Sequence, residues 1–295
     1  MKIVEAIILG IVQGLTEFLP VSSSGHLAIV KSVMGVDLEG NLFMNVMLHI
    51  GTLAAVIICY RSLVGKLIRE FFLMLKDIFT GKFSFKKMND SRNMIIMLII
   101  GLLPLFLLFI PLPFANGVKL KDLADVFGTS EYLWLVGASL ILTSVFLTLG
   151  IFFNRRNLLH NKLRTRYNVL DALVVGIAQC FAAVLSGFSR SGSTLATAQM
   201  RGIDKQSALD YSFIIGIPSI FAAAVLEIKD AVTADANPVN TIGILPIIIG
   251  IVVSAAVGIG AIKLFKWMLA KDRTYIFAIY TAAMGLATVV YSFVR

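Results

Sequence analysis

Glu5 to Leu27, EAIILGIVQGLTEFLPVSSSGHL, and Asp171 to Leu195, DALVVGIAQCFAAVLSGFSRSGSTL, read as one element written twice. Each is an apolar run of helix length that breaks at small or helix-stopping residues, passes through serines and glycine, and turns apolar again. Pro20 with the Ser22-Ser23-Ser24-Gly25 run, and Gly187 with Ser189 to Ser193, divide the runs into halves too short to cross a bilayer. Broken helices at membrane depth persist only where protein or water covers the freed backbone groups. The pattern therefore predicts two re-entrant helix-turn-helix hairpins, at about 3–35 and about 168–203.

Such hairpins need lipid around them, and the composition agrees. Apolar residues are 58% of 295 and charged residues 15%, with a mean hydropathy of +0.89, far from a soluble globular domain. Full-length apolar spans fall near 43–60, 92–114, 131–153, 207–228, 241–262 and 275–293. The expected fold is an all-α integral membrane protein of six transmembrane helices plus two re-entrant hairpins. It forms a single membrane domain, 1–295, in two inverted-topology repeats, 1–153 and 168–295. LHIGTLAAVI at 48–57 resembles IGIPSIFAAA at 215–224, which extends the repeat beyond the hairpins. No cleavable leader is read at the N-terminus, where Glu5 sits inside the apolar run.

A net charge of +9 does not indicate nucleic acid, because the basic residues cluster in short loops between spans. Arg61 to Arg92, Arg155 to Arg166 and Lys263 to Arg273 hold most of them, whereas Asp122, Asp125, Glu131, Asp230 and Asp235 mark the connections between. The positive-inside rule places the basic loops in the cytoplasm, so the first hairpin enters from the outer face and the second from the cytoplasmic face. Val64 to Phe79, with Lys66, Arg69, Lys76 and Asp77 among apolar residues, reads as a helix along the interface. Cys59 and Cys180 lie in apolar segments and form no metal or disulfide pattern.

The hairpin tips carry the chemistry. Gln13 and Glu17 are four apart and share a helix face just before the first break. Ser22 or Ser23 is placed to cap the following half-helix, whose free N–H groups and positive dipole end attract an anion. In the second copy Ser189, Ser191 and Thr194 surround a similar N-terminus, and Arg190 offers a planar fork of donors suited to phosphate oxygens. With Ser22 and Ser24 these groups describe an oxyanion cradle. Glu17 fits there as the ligand of a divalent cation or as a general base, and His26 as a group that exchanges a proton near neutral pH. His49, inside an apolar span, is expected to be a satisfied core histidine, and His160 a solvated one in a basic loop. Ser22, Ser24, Ser191 and Ser193 each read equally well as close-packing residues of membrane helices.

At these residues the chain resembles the undecaprenyl-diphosphatases associated with bacitracin resistance in bacteria. The family's (E/Q)xxxE motif is matched by Gln13 to Glu17, running into FLPVSSSGH at 18–26, and a PGxSRSxxT motif by Ser186 to Thr194. One departure stands out, Ser186 in the proline position, while Gln13 is an allowed variant of the first motif that leaves it one carboxylate. The resemblance implies hydrolysis of undecaprenyl diphosphate to the monophosphate and inorganic phosphate in a bacterial cytoplasmic membrane, with a divalent cation, Mg or Ca, as cofactor. On that reading Glu17 binds metal or activates water, helped by Gln13. Arg190 clamps the diphosphate, Ser23 binds phosphate or attacks it, and His26, three residues on, faces Ser23 and moves a proton. The partners are the polyprenyl diphosphate lipid and the bilayer, not nucleic acid. A homodimer is admitted by the sequence without being required by it. The runner-up is a secondary transporter or lipid-carrier flippase, which uses the same inverted-repeat architecture. A phosphatidate-type acid phosphatase is disfavoured, because it needs a second histidine after the Ser-Arg pair.

Overall fold

The computed structural model of the chain describes residues 1–34, 41–85, 88–111, 119–127, 132–233, 239 and 242–294. Expected element ends at 35, 112–114, 131 and 241, and the loop residues Lys86, Lys87, Glu131 and Asp235, lie outside the described residues. The described elements are helical: α1 (Ile3–Phe18), α2 (Ser23–Met34), α3 (Asn41–Cys59), α4 (Arg61–Phe79), α5 (Asp90–Leu102) with a 3₁₀ segment (Leu103–Phe109), α6 (Leu120–Phe127), α7 (Leu133–Leu159), α8 (Val169–Val184), α9 (Arg190–Met200), α10 (Lys205–Thr233), α11 (Ile244–Ala270) and α12 (Tyr275–Val294). Among the described residues five stretches are long and apolar enough to cross a membrane: Asp90–Phe109, Leu133–Leu159, Lys205–Leu226, Ile244–Ala270 and Tyr275–Val294.

The sixth expected span is α3, which ends at Cys59 and meets α4 at an angle of 86°. Arg61, Lys66 and Arg69 open α4, and carrying them onward through an apolar layer would cost several kcal/mol. The chain turns instead, and the segment expected at the interface, Val64 to Phe79, lies within α4. The span at 92–114 is also less regular than a single helix. Pro104 lacks an N–H and crowds the carbonyl four residues back, so the backbone tightens there from α-helix into the 3₁₀ segment.

Both broken elements begin alike. The Glu5 carboxylate accepts from the Lys2 N–H at 2.8 Å, and at the matching place Asp171 accepts from the Asn168 N–H at 3.0 Å, satisfying donors that the first helical turn leaves free. Asp171 also binds Arg164 at 2.9 Å and Arg201 at 2.9 Å. Because Arg201 follows directly on α9, these bonds hold the start of α8 beside the end of α9, and the pair folds back as a hairpin.

Around the hairpins the long helices pack in pairs, α1 and α3 along α11 and α7 along α12. Single hydrogen bonds tie the pairs where small residues let backbones approach: Ser254 Oγ donates to Leu48 O at 3.0 Å and Ser144 Oγ to Ala278 O at 2.7 Å. The three basic segments gather together. Arg166 pairs with Asp90, Lys205 with Asp272, and the Lys266 ammonium sits 3.7 Å above the Tyr60 ring. Segments that the charge pattern assigns to one side therefore share one end of the bundle.

Candidate active site

α1 stops at Phe18, ahead of Pro20, and the chain resumes as α2 at Ser23. Between them Ser22 adopts φ +73°, a left-handed conformation that is rare for a residue with a Cβ and recurs at functional sites. In that pose the Ser22 hydroxyl accepts from the Gly25 N–H at 3.2 Å and caps α2. Ser189 does the same for α9, accepting from Gly192 at 3.1 Å. The turn before Ser189 is closed by Phe188 N–H donating to Leu185 O at 2.9 Å, with Gly187 at φ +97°. That is the pattern of a turn with proline favoured at its second position and glycine needed at its third. Ser186 keeps the turn without the proline because the hydrogen bond and Gly187 already define it.

The two breaks lie against each other. A Cβ built on Gly25 would come within 3.0 Å of the Gly187 Cα, so the tips approach as closely as backbone allows. Ser24 Oγ accepts from the Gly187 N–H at 3.3 Å, and Ser191 Oγ donates to Leu19 O at 3.3 Å. Glu17 and Arg190 close the contact. One Glu17 oxygen pairs with the Arg190 guanidinium. The other accepts from Ser23 Oγ at 2.7 Å and from Gln13 Nε2 at 2.9 Å, and stands 3.4 Å from His49 Nε2. Glu17 is buried, whereas the Arg190 side chain keeps 24% exposure. Gly216 on α10 makes room for it, since a Cβ there would collide with the guanidinium.

These groups line a cleft of about 390 Å³. Its lining carries Glu17, Ser22, Ser23, Ser24, Ser189, Arg190 and Ser191 together with apolar residues that include Ala183, Phe188 and Ala223. A wider groove of about 580 Å³ between α7 and α12 contains no ionisable group besides Tyr275 and shares no lining residue with the cleft.

Three expected site residues lie elsewhere. Gln13 is buried behind Glu17, with its Oε1 unpartnered. Thr194 is buried, hydrogen bonded to Arg190 O at 2.8 Å and to Ser212 Oγ, so it braces α9 against α10. His26 does not face Ser23. Its Nδ1 lies 2.7 Å from Ser22 O and its Nε2 2.8 Å from Tyr280 Oη, because the left-handed Ser22 aims its carbonyl at the imidazole and α12 occupies the far side. The base beside Ser23 is Glu17.

His49 is a correction in the opposite direction: it lines the cleft together with Asn45. Its Nδ1 must donate, at 2.7 Å, to Asn45 O, since a carbonyl only accepts. The contact of Nε2 with Glu17 is then attractive only with a proton between them. The sequence carried a signal for this wall, because Asn45 and His49 are four apart on one face of α3, as Gln13 and Glu17 are on α1.

A resident divalent cation does not fit this arrangement. Both Glu17 oxygens are already bonded, one of them to a cationic guanidinium, and among the described residues no group of three His, Cys, Asp or Glu could hold a metal ion.

Known proteins are similar to this chain over nearly its full length. A model of the family described as "Bacitracin resistance protein BacA" matches residues 6–287. A relative named undecaprenyl-diphosphatase from Alkaliphilus metalliredigens is 34% identical over 290 residues, covering 98% of each chain. One of the same name from Bacteroides thetaiotaomicron is 34% identical over 294 residues, covering 98% of this chain and 99% of its own. Another from Methanosphaera stadtmanae is 32% identical over 297 residues, covering 100% and 99%.

Proposed function

We infer the reaction from two facts together: the chain belongs to the bacitracin resistance protein BacA family, and its cleft sets a serine on a carboxylate beside an arginine. The protein is a multi-pass membrane phosphatase that hydrolyses undecaprenyl diphosphate to undecaprenyl phosphate and inorganic phosphate. A secondary carrier is not favoured, since the relatives are named for hydrolysis.

The observation that carries the mechanism is the 2.7 Å hydrogen bond from Ser23 Oγ to Glu17. A serine hydroxyl attacks only when a base takes its proton, and Glu17 is in contact to do so. Without substrate, Glu17 serves as the counter-ion of Arg190. An arriving diphosphate offers the guanidinium more negative charge and a bidentate match. Arg190 then transfers to the phosphate oxygens, and Glu17 is left as an unpaired acceptor beside Ser23. Ser23 Oγ bonds to the terminal phosphorus, its proton passes to Glu17, and the bridging P–O bond breaks to release the lipid monophosphate. Glu17 passes that proton to the departing monophosphate, then takes a proton from the water that attacks the phosphoserine and returns it to Ser23 Oγ as inorganic phosphate leaves. Ser22, Ser24, Ser189 and Ser191 line the path of the phosphate oxygens, where preorganised donors stabilise the charge that grows in the transition state. Gln13 and His49 hold the Glu17 carboxylate in place, and His26 fixes the α1–α2 break against α12.

A divalent cation, Mg or Ca, arriving with the substrate would supply charge screening for the diphosphate, and no step above depends on it. The matching starts and breaks of α1–α2 and α8–α9, and the meeting of their tips, support an architecture of two inverted repeats with re-entrant hairpins. The gathering of the basic segments at one end supports a cytoplasmic placement of that end in a bacterial cell membrane. The cleft then opens through the first hairpin to the outer face, where lipid diphosphate is left after polymer assembly.

Three outcomes follow. Quenching Ser23→Ala turnover in acid should yield no phosphoserine and under about 1% of wild-type hydrolysis, while the wild-type enzyme yields phosphoserine at Ser23; substantial turnover by the alanine variant would exclude covalency. Titration of Mg without lipid should leave the unfolding temperature unchanged, and stabilisation would put a resident cation on Glu17. In a background lacking Cys59 and Cys180, a cysteine in the Arg61–Arg92 loop should react with an impermeant reagent only from the cytoplasm, and one beside Asp122 only from outside. The reverse pattern would invert the orientation and the outward mouth with it.

A further inference from the structure

The cleft lining includes residues that the phosphate chemistry does not use. Ala182 and Ala183 at the end of α8 and Ala223 and Ala224 on α10 belong to it, and Ala183 and Ala223 are exposed. The outward-facing aromatics Phe181 and Phe221 flank them, 60% and 61% exposed. Between these two helices Gln179 Nε2 reaches Ser219 Oγ at 3.4 Å.

The internal repeat sharpens the point. Aligning Glu5 with Asp171 sets Gln179 in the place of Gln13 and Ala183 in the place of Glu17. One hairpin thus brings a carboxylate to the cleft and the other a methyl group at the corresponding position. The cleft lining joins charged and hydroxyl side chains with alanines that are themselves exposed. A lone phosphate would need only the polar part of that lining.

We propose that the α8–α10 seam is the portal through which the polyprenyl chain of the substrate leaves the cleft into the bilayer, with Ala183 and Ala223 setting its width. The proposal rests on the phosphatase reading above and adds where the lipid lies. A head group seated on Arg190 and Ser23 has its tail carried out sideways between two helices, so the lipid need not leave the membrane to be hydrolysed. The small side chains pass a methyl-branched chain in van der Waals contact, and a bulky group at either position obstructs it. A diphosphate with a short tail ends before the constriction and is far less sensitive to it. The seam is therefore a determinant of chain-length preference and not of the chemistry.

The test uses full-length protein in detergent micelles carrying Ala223→Cys, Cys59→Ser and Cys180→Ala, before and after labelling with benzyl methanethiosulfonate, with undecaprenyl diphosphate and farnesyl diphosphate as substrates. The label should lower kcat/KM for the undecaprenyl substrate by about tenfold or more and for the farnesyl substrate by less than about twofold, and dithiothreitol should restore both. Because the same folded molecules are measured before labelling, after it and after reversal, misfolding cannot imitate this result. Equal losses on both substrates, or no loss after complete labelling, would overturn the portal. So would the same discrimination produced by a label on Ala282→Cys in the α7–α12 groove, which the portal predicts to be silent. A wild-type chain that releases phosphate from neither substrate would instead overturn the phosphatase reading itself.

Discussion

The ion pair between Glu17 and Arg190 joins two helix breaks that are far apart in the sequence, and the arrangement of the cleft depends on it. Either charge alone at membrane depth would cost several kcal/mol, and removing one partner of a buried pair typically costs about 3–5 kcal/mol because the other is left uncompensated. Each hairpin therefore needs the other's tip. The close approach of Gly25 to Gly187 and the Ser24 and Ser191 hydrogen bonds bring those tips to the distance at which the charges meet. Polar backbone freed at each break is satisfied at the same contact, so the strain at Ser22 and the caps on α2 and α9 belong to one local solution.

The same pair explains how a site built for an anion can contain a carboxylate. On the mechanism we propose, Glu17 substitutes for the ligand while the cleft is empty and serves as the proton acceptor for Ser23 once the ligand has taken Arg190. A resident metal would compete with the guanidinium for the same oxygens, and with Gln13 in the motif no second carboxylate is there to share it. Binding energy from the phosphate–arginine contact is thereby converted into a base positioned at the nucleophile, which is how ground-state interactions contribute to the chemical step. The apolar residues in the cleft lining suit the hydrocarbon part of an amphiphile.

Much of this was legible in the sequence because lipid makes polar residues informative. A charge or a serine run inside an apolar segment has few structural explanations, so Glu17, Ser23 and Arg190 and the breaks around them could be picked out from residue type and spacing. What could not be read was direction. Ser22 in a left-handed conformation turns its carbonyl toward His26 and commits that ring to Tyr280, a contact across 254 residues that no local pattern announces. His49 was hidden for the converse reason: its neighbours on α3 are apolar, and only the fold brings Glu17 against it. The bend of α3 into α4 and the tightening at Pro104 both had visible causes, a charge cluster and a proline. Their geometric outcome depends on packing that periodicity does not contain.

The exchange of Arg190 from Glu17 to the ligand is the step on which the account stands, and a structure with a non-hydrolysable methylenediphosphonate analogue of the lipid measures it most directly. The account predicts the Arg190 guanidinium on phosphonate oxygens and away from Glu17, Ser23 Oγ still hydrogen bonded to Glu17, and the terminal phosphorus in line with that hydroxyl. An Arg190–Glu17 pair that stays intact while the analogue occupies the cleft, or a terminal phosphorus turned away from Ser23, would contradict it.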